Sequence, residues 1–193
     1  TGTDAAFQSL FRRWGIDYQP GPRRACLQAE DQGLHCLYQR GTLEQVQALG
    51  RPVILTLRDS SSNPHQVTLA GLGPGVAVID LKGEEYRVPE RDLKEYWFGE
   101  YLLLWRPRTR EVKSFFPGMR DPDVKWLRES LATIQGRPVE PMASDTYDDN
   151  LATRVRDYQR ARKLPVDGLA GHATQVAIST DLGGDDPRLA RVN

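Results

Sequence analysis

The chain has 193 residues, roughly 1.3 domains at ~150 residues each, so one large domain or two small ones both fit. Hydrophobic residues make up 39% and charged residues 27%, with 17 glycines and 13 prolines, which excludes collagen-like, coiled-coil and wholly disordered chains. The 26 Lys and Arg are matched by 26 Asp and Glu, and the balance holds on either side of residue 110, so no basic field exists to drive binding to nucleic acid or an anionic membrane.

Taken in chain order, Thr1-Gly2-Thr3-Asp4 has neither an initiator Met nor an apolar signal core, and the chain reads as a piece of a longer protein with anchors or catalytic domains upstream. Ala6, Leu10 and Trp14, flanked by Phe7 and Phe11, predict a helix over 5–14 that Gly15 ends. The most strongly apolar stretches, 53–57 and 101–105, are five residues long. A bilayer span needs ~20.

Cys26 and Cys36 are the two cysteines. On one continuous helix they would lie about 15 Å apart, too far for a disulfide. Gly33 between them reads as a helix stop. A helix over about 24–32 that doubles back as a strand returns ~10 Å in three residues, matching the ~10 Å of helix between Cys26 and Gly33. A disulfide is therefore expected, with an oxidising compartment such as a periplasm; the competing reading is two reduced, buried thiols.

Thr42-Leu43-Glu44-Gln45 fits a capping box opening a short helix to about Leu49. Runs 53–57, 66–70, 76–80 and 101–105 are β-rich, and the turn signals 60–64 and 71–75 between them are short, which predicts antiparallel pairing and an α+β domain. At 106–110 the pattern lapses and returns as helices. Pro122 is expected at a first helical position, with Val124, Leu127, Leu131 and Ile134 on one face; Leu151, Val155 and Tyr158 form a second face, and Ala173, Val176 and Ala177 a third. The tail from Gly183 to Pro187 reads as mobile. Glycine clusters at 71–75 and 183–184 lack the context of a phosphate loop. His35, His65 and His172 do not form a zinc spacing, so neither a cofactor nor a metal is expected.

The segment Val166-Asp167-Gly168-Leu169-Ala170-Gly171-His172-Ala173-Thr174 has the Val-Asp-Gly-x-x-Gly-x-x-Thr form of the peptidoglycan-binding domain family, which residues 120–180 resemble. Asp148, Leu151 and Arg154 stand where that family usually has Gly, Thr and Ala. Arg154, Gln159 and Arg160 are candidate contacts to stem-peptide carboxylates, because guanidinium forks match carboxylates. Upstream, Asn63-Pro64-His65-Gln66-Val67-Thr68-Leu69, then Val76 to Gly83 and Trp97 to Leu104, resemble the C39-like cysteine peptidases, in which a His opens a strand and an Asp follows about fifteen residues later. In that family a Cys opens the first helix. Here Thr1-Gly2-Thr3-Asp4 holds no thiol, so His65 and Asp80 are read as a hydrogen-bonded relic joining two strands. The alternative is a peptidoglycan-targeted peptidase or amidase using Cys26, His65 and Asp80, with Gln19 as oxyanion donor.

Nearly the whole chain, including 26–41 and 96–107, is similar to the periplasmic region of the general secretion pathway A (GspA/ExeA) family. That resemblance implies an α+β fold class: an inactive papain-like (C39-like) domain with an antiparallel sheet over 1–108, a linker over 109–119, a three-helix peptidoglycan-binding domain over 120–182 and a mobile tail over 183–193. It further implies a periplasmic, non-enzymatic part of a type II secretion assembly factor. Its implied partners are the inner-membrane protein GspB, peptidoglycan and, indirectly, the outer-membrane secretin, with a homo-oligomer on the wall and an upstream ATPase and membrane helix.

Overall fold

The computed structural model describes residues 2–109, 111–138, 141 and 143–193. The chain divides into two compact units, Thr1–Arg106 with Asp186–Asn193, and Pro107–Asp185.

The first unit runs α1 (Gly2–Arg13), α2 (Ala25–Glu30), β1 (His35–Arg40), α3 (Leu43–Leu49), β2 (Val53–Arg58), β3 (Pro64–Gly73), β4 (Val76–Leu81), β5 (Glu84–Pro89), α4 (Glu90–Tyr96) and β6 (Trp97–Trp105), and closes with β7 (Ala190–Arg191). The sheet order is β1-β6-β2-β3-β4-β5, antiparallel at every step, with β7 added parallel to β3. Side chains alternate across a sheet, so each strand feeds two layers. Ile54, Leu102 and Leu104 face α1 and α2, where they pack with Leu10, Phe11, Trp14, Ala29 and Leu34. Val53, Leu55, Val67, Leu69 and Leu103 alternate with them and are buried on the opposite face. Each such side chain contributes roughly 1.5–3 kcal/mol through burial.

The capping box at Thr42 forms as expected: its hydroxyl accepts from the Gln45 amide, the Gln45 side chain accepts from the Thr42 amide, and Gly50 ends the helix in the left-handed region. Strand β5, Glu-Glu-Tyr-Arg-Val-Pro, carries no apolar alternation because it is an edge strand with both faces largely exposed. It is held by backbone pairing to β4 across the two-residue turn Lys82-Gly83, both residues at positive φ, the hairpin geometry that matches strand twist.

The tail is the main departure from expectation. Rather than being mobile from 183 onward, the chain returns to the first unit. Beyond Leu69 strand β3 has lost its β2 neighbour, and β7 takes that position, pairing at Gly71 and Leu72. Leu189 donates to the Gly50 carbonyl at 2.9 Å and Val192 to that of Leu72 at 3.1 Å. The buried Arg51 guanidinium donates to the Pro187 carbonyl at 2.9 Å and lies 3.6 Å from the Asp186 carboxylate. Gly73 makes the close approach possible, since a Cβ there would sit 1.8 Å from the Val192 oxygen. Gly73→Ala is expected to detach 190–193, read as faster cleavage of the C-terminal segment in limited proteolysis while the sheet persists in far-UV circular dichroism.

The second unit contains α5 (Val124–Gln135), α6 (Asp149–Ala161) and α7 (His172–Leu182). Helix α5 starts two residues after Pro122, because Pro122 and Asp123 form a turn in which the Val124 amide donates to the Asp121 carbonyl. Asp148 caps α6 by accepting from the Leu151 amide at 2.9 Å. Helix α7 is buried continuously from Thr174 to Thr180 rather than presenting one apolar face. The 109–119 segment, expected as a linker, belongs to this unit over its described part. Phe115 is fully buried and bridges Ala170, and Lys113 pairs with Asp121 and Asp123 at 2.8 Å. Arg110 lies outside the described residues.

Candidate functional site

Helix α1 presents its N-terminus to β3. The Thr3 hydroxyl donates to the Gln66 side-chain oxygen at 2.6 Å, and the Thr68 hydroxyl donates to the Ala6 carbonyl at 3.0 Å. These two contacts assign the faces of β3: Gln66 and Thr68 point at α1, and His65 and Val67 point away. Beside this junction lies a groove of about 570 Å³, lined by Thr3, Phe7, Tyr38, Thr56, Gln66 and Leu102. A Cβ on Gly2 would come 3.9 Å from the Gln66 carbonyl. The start of α1, Gly2 and Thr3, thus faces the Gln66 side-chain amide; Thr1 lies outside the described residues.

His65 and Asp80, expected as a hydrogen-bonded pair, are not brought together. Asp80 pairs with Thr68 across β3 and β4, on the α1 face, whereas His65 is on the other face. His65 instead meets Asp59 through Nε2 at 3.1 Å. The Asp59 carboxylate also accepts from the Ser61 and Asn63 amides, each at 2.9 Å. His65, Asn63 and the Ser61 amide hold its carboxyl well below the ordinary aspartate range. This is a closed loop motif. Among the described residues no group of three or more His, Cys, Asp or Glu could hold a metal ion.

Asp80 is 4% exposed and clamps the far end of α1. It accepts from Arg13 at 3.0 Å, Arg12 at 3.3 Å and the Gly83 amide at 2.7 Å. Burial by itself would raise its pKa. The Ser9 hydroxyl, the Gly83 amide and the Arg13 guanidinium together outweigh burial and lower it. A lowered folded pKa means the stabilisation is complete above the unfolded aspartate value of about 3.9 and is lost as pH falls through the folded one. The urea midpoint is therefore expected to be flat near neutrality and to drop in acid, and Asp80→Asn should make that acid limb shallower.

Cys26 and Cys36 form a disulfide with Cα atoms 5.6 Å apart, joining α2 to β1. This removes the thiolate that the peptidase alternative required. Gln19, considered there as an oxyanion donor, binds Gln28 instead: its amide donates to Gln28 Oε1 and its carbonyl accepts from Gln28 Nε2, both at 2.9 Å.

In the second unit Gln159 is 1% exposed and works inward. Its Oε1 accepts from the Asp167 and Gly168 amides at 3.2 and 2.9 Å. Its two Nε2 protons serve three acceptors, Asp167 Oδ1, the Leu169 carbonyl and Thr174 Oγ1. Gln159 thus stitches the Val-Asp-Gly turn to α7 and cannot reach a ligand, which corrects the expectation that it contacts a stem peptide. Arg154 donates to Gln135 Oε1 at 3.2 Å and the Pro138 carbonyl at 3.4 Å; Arg160 is exposed and pairs with Asp157 at 3.0 Å. The signal for a structural Gln159 was its spacing beside Val155 and Tyr158, on the buried flank of α6.

Comparison with known proteins agrees with this division. Residues 120–178 match the family model of a peptidoglycan binding domain. General secretion pathway protein A of Aeromonas hydrophila is 29% identical over 187 residues, which is 96% of this chain and 34% of the relative, so the chain spans about a third of that protein's length. A crystal structure of a periplasmic domain of the EpsAB fusion protein of the Vibrio vulnificus type II secretion system is similar in fold, with a TM-score of 0.58 and 22% identity over 97% of this chain and 82% of that one. Residues 2–107, more than half of the chain, match the family model of the GspA peptidase C39-like domain, and the chain belongs to that family.

Proposed function

We propose that this chain is the periplasmic, non-catalytic part of a type II secretion assembly factor. Its helical unit holds peptidoglycan, and its C39-like unit docks the inner-membrane protein GspB, so that the pair promotes assembly of the outer-membrane secretin. The observation that carries this reading is the vacated site. A GspA-type C39-like unit presents Gly2 and Thr3 to Gln66, and both cysteines of the chain are joined in a bridge. Thiolate and base are both required for cysteine-peptidase chemistry. What remains is a binding fold attached to a peptidoglycan-binding domain.

Strand β1 is the better edge for a partner strand. Its opposite number, β5, carries Glu84, Glu85 and Arg87, charges of the kind that discourage edge pairing, whereas β1 displays Tyr38 at 69% exposure. Two experiments test the proposal. Purified sacculi should retain the folded chain above a heat-denatured control. Mixed with the GspB periplasmic domain, the chain should elute as one earlier peak in size exclusion; two unshifted peaks would remove GspB from the reading.

A further inference from the structure

The Val-Asp-Gly turn is rigid from within. Asp167 Oδ1 accepts from the Leu169 amide at 2.9 Å, Gln159 holds the Asp167 and Gly168 amides, and the buried Tyr147 hydroxyl donates to the Gly168 carbonyl at 2.7 Å. Phe115 and Ala170 exchange both backbone hydrogen bonds, at 3.1 and 2.9 Å, and both side chains are fully buried. Phe116 and Leu169 flank this bridge in the chain, one on each of its two segments. They are 52% and 41% exposed. An aromatic and an aliphatic side chain exposed on either side of a fixed bridge offer preorganised apolar surface.

Beside this pair stands Arg156 of α6. It lies across the open side of Gly168, where a Cβ would meet its Nε at 3.0 Å and its Cζ at 3.2 Å, so the glycine supplies the space that the guanidinium stem occupies. Gly168 has φ +75°, which further restricts the position to glycine. Arg156 is exposed and holds no carboxylate among the described residues, in contrast to Arg160 with Asp157 and Arg162 with Asp181. The nearest turn carboxylate, Asp167, is already directed at Gln159 and the Leu169 amide.

The geometry points to Arg156, Phe116 and Leu169 as the face that takes a carboxylate-bearing stem peptide of the wall. This inference rests on the peptidoglycan reading and names its contact surface. A stem peptide offers alanyl methyl groups beside free carboxylates. The uncommitted guanidinium fork donates to a carboxylate, and Phe116 and Leu169 cover the methyls. Arg154 and Arg160 suit this role less, because Arg154 already donates to Gln135 and the Pro138 carbonyl and the Arg160 charge is paired with Asp157.

The test uses the full 193-residue chain, isolated sacculi and soluble disaccharide-tetrapeptide, with Arg156→Gln, Phe116→Ser and a control, Arg160→Gln. Losing one charge-assisted contact should weaken muropeptide binding by Arg156→Gln roughly ten-fold, with an unchanged far-UV spectrum. Phe116→Ser should weaken it as well, and Arg160→Gln should bind as the parent does. Amidating the muropeptide carboxylates should weaken the parent and leave Arg156→Gln unaffected. If the parent binds and Arg156→Gln binds equally well, the contact surface is wrong while the wall-binding function stands. If the parent chain is not retained by sacculi at all, that function falls and this face with it.

Discussion

Replacing Gln159 by Ala should cost the helical unit about 4 kcal/mol, because it leaves several buried backbone and side-chain groups without partners at once, each worth ~1–3 kcal/mol. The groups are the Asp167 and Gly168 amides, the Leu169 carbonyl and Thr174 Oγ1. Alanine fills none of these roles, and the Gly168 amide and Thr174 Oγ1 are buried away from replacement by solvent. A small domain is stable by only about 5–15 kcal/mol, so the variant should lose much of its cooperativity. Trp126 lies in this unit with its ring tilted at 38° to that of Phe115, centroids 6.5 Å apart, so its fluorescence can follow urea unfolding once Trp14, Trp97 and Trp105 of the first unit are replaced by Phe. A midpoint within error of the parent's would show that the turn holds itself without Gln159. Glutamate is the informative companion substitution: it keeps an acceptor for the two amides but sets a second carboxylate against Asp167 Oδ1 and the Leu169 carbonyl, so Gln159→Glu should destabilise at least as much as alanine near neutrality and recover partly in acid.

The second large effect is expected at the disulfide. Cys26 and Cys36 close a loop of sequence separation 10. Closing such a loop removes denatured-state entropy worth about 3 kcal/mol in the chain-entropy account. Cys36→Ser with Cys26→Ser should therefore lower the stability of the first unit by about that amount. The bridge also ties the six-residue α2, too short to persist alone, to edge strand β1. Hydrogen exchange should consequently rise first over α2 and β1, while β2 and β3 in the sheet centre stay protected. Dithiothreitol should reproduce the double variant's urea midpoint in the parent protein and leave the variant unchanged. Equal midpoints with and without reductant would mean that the loop is ordered by packing alone.

These results separate what was legible along the chain from what was not. Helix α1 could be read from Ala6, Leu10 and Trp14, and the α3 cap from Thr42 and Gln45, because both signals lie within one or two turns of backbone. The cysteine bridge followed from helix rise, strand rise and one stop glycine, all local quantities. The Val-Asp-Gly segment likewise announced its turn. Strands β5 and β7 were harder: β5 has no apolar alternation, and the two-residue β7 exists only because β3 outruns β2 and leaves an open edge at Gly71.

Side-chain direction was decided by tertiary contacts. His65 and Asp80 carry the right residue types at the right spacing, yet a strand alternates every residue, and only the contacts of Gln66 and Thr68 with α1 reveal which parity faces the helix. The run Gln66, Val67, Thr68, Leu69 did hold the clue, since His65 shares its parity with the apolar Val67 and Leu69. Gln159 has the residue type of a surface contact, yet its flank of α6 packs on the turn, and the place of Arg156 is set by Gly168, eight residues or more away along the chain. By itself the sequence determined two modules and their element types and led to the expectation of a cysteine bridge, because periodicity, caps and loop closure are local physics; the structure decided the bridge against two reduced thiols. Which polar groups face a groove, a core or solvent was decided only in three dimensions, because that depends on partners many residues away.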